Sequence, residues 1–239
     1  GTKYLAKILS TLNNADVYHE QKPIMNGIPM QQYLQGNRFQ LRALMSDKIM
    51  TIKKSKGLYI DTSHLFIKGF GWEIPEYLKE EEIGVIILKR NTSKVVESTF
   101  KVHSGPFTYF GRKWIMVPRK NNLVKPPISY FNFWIHYAVI KVYWIILGQN
   151  KSLKRSYPKY FEKLSKKLID WYLKETDALR KVYQIKFNKI RYVDINLDEL
   201  NSVSGIYKIL DEFDLKSSIN HKSLNDILGK KVNDKSHLK

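Results

Sequence analysis

"IGVIILKRNTSKVVES", residues 83–98, runs as an unbroken apolar stretch into Lys89-Arg90, with a hydroxyl residue, Ser98, eight positions beyond Arg90. An apolar run of this kind suits a parallel strand covered on both faces. The segment after it, "TSKVVESTFKV", has the spacing of a helix. A strand that only has to stop can end on Gly or Asp. This one ends on fixed positive charge, which points to an anion at the carboxyl edge of a sheet.

Outward from this stretch, strands and helices alternate. "ADVYHE" and "GLYIDTS" read as strands before it, and "KIRYVDIN" as one near the far end. "TKYLAKILSTLNN" places Tyr4, Leu5, Ile8, Leu9 and Leu12 on one helical stripe ended by Asn13-Asn14. "MQQYLQGNRFQLRALMSDKIMTIKKS" is helical with an interruption near Gly36, and "IDWYLKETDALRKVYQI" and "SGIYKILDEFDL" are helical throughout. The pattern predicts an α/β chain with a mainly parallel central sheet flanked by helices in three layers. "YFNFWIHYAVIKVYWIILG", residues 130–148, falls just short of the roughly 20 apolar residues of a membrane span and carries Asn132, His136 and Lys141. It reads as a buried helix or a lid, with membrane-surface contact as the second reading.

The chain has 239 residues and is 43% hydrophobic, which suits one folded domain over 1–239. With 41 Lys and Arg against 22 Asp and Glu, its net charge of +19 calls for an anionic partner: nucleic acid, an acidic membrane or a phosphorylated ligand. Lys greatly outnumbers Arg, the residue that base-reading surfaces favour, so nucleic acid is not the expected partner. Without Cys there are no disulfides and no thiolate metal sites, which fits a reducing compartment and leads to a cytoplasmic or membrane-peripheral expectation. No cluster of His, Asp and Glu at metal-ligand spacing is evident, so no metal is expected.

Ligands of open α/β sheets gather at the carboxyl ends of strands. Here those ends carry Glu20, Asp61 to His64, and Lys89-Arg90. The opening "GTKYLAKIL" adds a Gly and a hydroxyl residue at a helix start, where backbone amides favour phosphate.

In this order the pieces resemble the sulfotransferases that use 3′-phosphoadenosine 5′-phosphosulfate (PAPS), a P-loop nucleotide-binding type of fold. "RNTSKVVES" resembles their 3′-phosphate segment, in which a strand ends in Arg and a Ser follows eight residues later. "GTKYLAKIL" resembles the second half of their 5′-phosphosulfate loop. "DVYHEQKP" is similar to a His-Glu-x-Lys-Pro stretch of some bacterial members. "YIDTSHLF" resembles the Lys-Thr-His-Leu segment of the cytosolic enzymes, with Thr62 in place of the Lys. "GKKVNDK" faintly resembles the basic C-terminal nucleotide loop.

The resemblance implies a transferase moving a sulfuryl group from PAPS to a hydroxyl or amine of a carbohydrate or lipid-linked acceptor. Gly1, Thr2, Lys3 and Tyr4 would hold the 5′-phosphosulfate, Arg90 and Ser98 the 3′-phosphate, and Lys230 and Lys231 would belong to the nucleotide loop. Glu20 and His64 compete as general base, with Glu20 carrying the fuller match. His19 and Asp61 are expected behind them. His103 and His136 fall to packing or acceptor binding. Residues 104–150, with Arg112, Lys113, Arg119 and Lys120 among aromatic rings, are expected to shape the acceptor site or a lid. The resemblance also leads one to expect a strand ahead of Gly1, delivering the first half of the loop, and Gly1 itself beside the carboxyl end of the 83–90 strand. A nucleotide-dependent kinase and a non-enzymatic module for nucleic acid or membrane surfaces are the competing readings.

Overall fold

A computed structural model describes residues 1–149 and 156–228. The chain is α/β, about 57% helix, with small parallel sheets. β1 (Ala15–Tyr18) and β2 (Leu58–Asp61) run parallel, Ala15 opposite Leu58 and Tyr18 opposite Asp61. β3 (Gly84–Lys89) and β4 (Arg191–Asn196) form a second parallel pair, from Gly84 opposite Arg191 to Lys89 opposite Asn196. In place of one central sheet there are thus two, of two strands each. Among the described residues no strand hydrogen-bonds one to the other.

Side-chain packing joins them. α1 (Thr2–Leu9) turns Tyr4, Leu5, Ile8 and Leu9 inward, as its stripe predicts. They share one cluster with Val17 and Ile60 of the first sheet and with Ile86, Leu88, Val193 and Ile195 of the second. α8 (Val203–Glu212) closes the same cluster with Ile206, Ile209 and Leu210. Each such fully buried side chain is worth about 1.5–3 kcal/mol.

α1 ends sooner than its sequence pattern suggests. The Ser10 and Thr11 hydroxyls donate to the carbonyls of Lys7 and Ile8, each at 2.7 Å, and hydroxyls that bond nearby backbone in this way compete with helix continuation. The chain then turns through Asn14 at φ 56° into β1. The Asn14 carbonyl accepts from Leu58 N at 3.0 Å, tying the end of this turn to the start of β2. A β-carbon at Gly57 would lie 2.1 Å from that carbonyl, so only glycine permits the approach. α1 therefore runs against the strand direction, and its N-terminus arrives at the edge where the strands end.

The interruption near Gly36 (φ 93°) separates α2 (Gly27–Leu34) from α3 (Phe39–Lys53). These helices, the short turns of residues 66–82 and the end of α7 (Lys159–Lys186) enclose a second cluster around Met30, Met45, Phe70 and Tyr183. α4 (Thr92–Lys101) follows β3 directly and is capped by Asn91, whose side chain accepts from Lys94 N at 3.1 Å. α5 (Tyr109–Trp114) is tied by the Arg112–Tyr137 hydrogen bond to α6 (Tyr130–Ile146), which leans with α7 on a third cluster containing Phe107, Phe133, Ile140 and Trp144. The 130–148 stretch is thus a helix buried along one face only. No described helix is long and apolar enough to cross a membrane.

Candidate functional site

The parallel register of β1 and β2 carries their carboxyl ends forward together, and Thr62 N donates to Tyr18 O at 3.0 Å just beyond the last pair. The chain leaves β1 with Glu20 in the left-handed region, φ 59°. A glutamate there is uncommon, costs of order 1–3 kcal/mol, and persists where the surroundings over-determine it. The result is that the two residues singled out as rival bases touch: His64 Nδ1 lies 2.9 Å from Glu20 Oε1.

The electrostatics of the pair are one-sided. The hydrogen bond from His64, more than the neighbouring charges of His64, His19 and Lys68, holds the Glu20 carboxyl below its ordinary value, against the opposing effect of partial burial. His64 is also lowered, by burial and then by the Lys68 charge, while Glu20 pulls the other way. At neutral pH the pair is accordingly a carboxylate and a neutral imidazole. A carboxylate can only accept, so the imidazole proton sits on Nδ1 and Nε2 keeps its lone pair. With 40% of its side chain exposed, His64 remains within reach of an approaching group.

Supports surround the pair. His19 Nδ1 contacts the Thr62 carbonyl at 2.8 Å. Asp61 accepts from Gln21 N at 3.2 Å and from Lys48 Nζ at 2.6 Å, and Lys48 also reaches Tyr59 OH at 3.1 Å and Gln21 O at 3.2 Å. Asp61 is therefore occupied in pinning the loop that follows Glu20. Lys68 is fully buried and donates to Trp114 O at 2.5 Å and to Tyr172 OH at 2.9 Å. The Trp114 ring lies tilted against His64, centroids 5.4 Å apart. Lys68 thus ties α5 and α7 to the wall on which His64 rests.

At the other sheet, a β-carbon on Gly1 would lie 2.8 Å from Leu88 and 3.2 Å from Leu197. The start of α1 is therefore beside the carboxyl end of β3, two residues from Arg90. No side chain caps α1 and its first turn holds no acidic residue. At the strand tip the two cations differ. Lys89 is paired with Asp194 of β4. Arg90 is exposed and has no hydrogen bond or ion pair among the described residues. Ser98 lies on the second turn of α4, half-buried.

Several expectations need amendment. Tyr4 is 7% exposed and belongs to the core, so only its backbone is available to a ligand. Arg119 is not available to an acceptor: it pairs with buried Glu175 at 2.6 Å, whose carboxylate also accepts from Leu123 N and Val124 N. Arg112 donates to Tyr137 OH at 2.6 Å. His136 bridges Asn132 O and Tyr160 OH. Lys230 and Lys231 lie outside the described residues. Lys68 and Lys48 escaped sequence reasoning. A lysine set in the apolar run "LFIKGFGW" was the one signal for Lys68.

Comparison with protein-family models, curated proteins and solved structures gives no match.

Proposed function

We propose that the chain is a PAPS-dependent sulfotransferase of P-loop type, acting on the hydroxyl or amine of a carbohydrate or lipid-linked acceptor. The observation that carries this reading is the meeting, at one end of β3, of a helix start that no side chain caps with an arginine that has no ion pair among the described residues, Gly1 lying against Leu88 and Arg90 following two residues later. A helix N-terminus and a guanidinium are two independent attractors for phosphate. On this reading Arg90 and Ser98 receive the 3′-phosphate, and the backbone of Gly1 to Tyr4, with Thr2 and Lys3, receives the 5′-phosphosulfate.

The Glu20–His64 pair supplies the remaining need of an in-line transfer, removal of the acceptor proton. His64 Nε2 takes the proton. Glu20 holds the ring in that tautomer and stabilises the imidazolium that forms. The two candidates then act as one unit, with the imidazole as base. A kinase would instead call for a carboxylate at the strand tip to position Mg²⁺, where β3 ends on Lys89 and Arg90.

Calorimetric titration with 3′-phosphoadenosine 5′-phosphate and with ATP tests the reading. Binding of the first in the micromolar range or tighter, with ATP much weaker, is expected. Equal affinity, or none for either, overturns it.

A further inference from the structure

α6 buries Phe133, Ile140 and Trp144 and turns a second apolar stripe the other way. On that outward face Phe131 is 72% exposed, Ile135 44%, Val139 51%, Val142 55% and Ile146 77%. These residues recur at three- and four-residue spacing and run about 22 Å along the helix axis. Stripes of this length are not normally left in water on a folded protein.

The flanks of the helix are cationic. On one side Lys141 lies over the rings of Tyr137 and Trp144, and Arg112 of α5 reaches Tyr137. On the other, His136 meets Tyr160, beside exposed Lys159 at the start of α7. Lys141 and Lys159 have no ion pair among the described residues. The local sequence explains why: from Ser98 to Phe161 there are eleven Lys and Arg and no Asp or Glu.

We propose that the outward face of α6 docks onto an anionic lipid bilayer, the helix lying in the plane of the interface. The helix is too short to span, while an aliphatic stripe bordered by unpaired cations supplies both signals that stable peripheral attachment requires. A second copy of the chain is the poorer occupant, because pairing would press together two cationic regions with no carboxylate between them. Nucleic acid would satisfy the charge but leave the Val and Ile stripe unsatisfied. The proposal does not rest on the nucleotide site, and its test needs no nucleotide.

The test is co-sedimentation of the full chain with vesicles of phosphatidylcholine and phosphatidylglycerol, and with vesicles of phosphatidylcholine alone. A triple variant, Val139→Gln, Val142→Gln and Ile146→Gln, changes only exposed positions, and its melting curve checks that the fold is kept. Expected are binding to the anionic vesicles that salt weakens, little binding to the neutral ones, and a loss of about tenfold or more in the triple variant. No binding to anionic vesicles, or binding that the triple variant leaves unchanged, overturns the proposal. So does a dimer in sedimentation equilibrium that the variant splits while neither protein binds vesicles.

Discussion

His64 Nδ1 and Glu20 Oε1 stand 2.9 Å apart, bridging the carboxyl ends of two parallel strands. The contact lowers the Glu20 pKa and opposes the lowering of His64 by burial, and the two effects can be measured one at a time.

Glu20→Gln removes the charge that raises the His64 pKa and keeps the size of the side chain. The His64 imidazole should then titrate at lower pH than in the parent chain, followed by its ring proton resonances in NMR. An unchanged or higher midpoint would mean that the pair is not formed in solution.

Both groups bind protons less readily when folded. For each, the unfolded chain takes up protons first as the pH falls, so folded-state stability drops. Melting temperature should therefore decline as pH falls below the ordinary His value of about 6.5, and again below the ordinary Glu value near 4.3. His64→Asn should remove the first decline and, by taking away the hydrogen bond that holds Glu20 low, weaken the second. Thermal melts at a series of pH values check this.

Lys68→Met keeps the length of the side chain but leaves the Trp114 carbonyl and the Tyr172 hydroxyl without their donor. The expected cost is about 1–3 kcal/mol, read by chemical denaturation. The same change removes a positive neighbour of His64, so its midpoint should move up, opposite to the effect of Glu20→Gln. A midpoint that stays in place would show that Lys68 serves the packing of α5 and α7 alone.

Glu175→Ala leaves the Arg119 guanidinium buried without its partner and two backbone amides without an acceptor. Breaking a buried pair from one side costs about 3–5 kcal/mol. A denaturation midpoint near that of the parent chain would contradict the burial of this pair.

How much of this could be read beforehand differs by level. The 83–90 strand was legible because its apolar run is unbroken, and β3 spans Gly84–Lys89. Glu20 and His64 were each legible as residues at strand ends. Their contact was not, because it depends on the register that sets Tyr18 opposite Asp61, 43 positions away. Lys68 was hidden for the same reason at longer range, since its partner Tyr172 is 104 residues distant. Arg119 looked like a surface cation among aromatic rings, and only the packing of α7 brings Glu175 to it. The division into two small sheets also had no local signature: strand patterns report burial, while sheet membership is decided by edges.

The central claim is that Arg90 receives a 3′-phosphate, and the most direct test compares 3′-phosphoadenosine 5′-phosphate with adenosine 5′-phosphate, ligands that differ in that group alone. The parent chain should bind the first more tightly by about 2–3 kcal/mol, roughly 30- to 150-fold. Arg90→Ala should melt like the parent chain, since the side chain is exposed and has no ion pair among the described residues, and should lose most of that discrimination. If the variant keeps the full preference for the 3′-phosphate, or if the parent chain shows none, the account is contradicted.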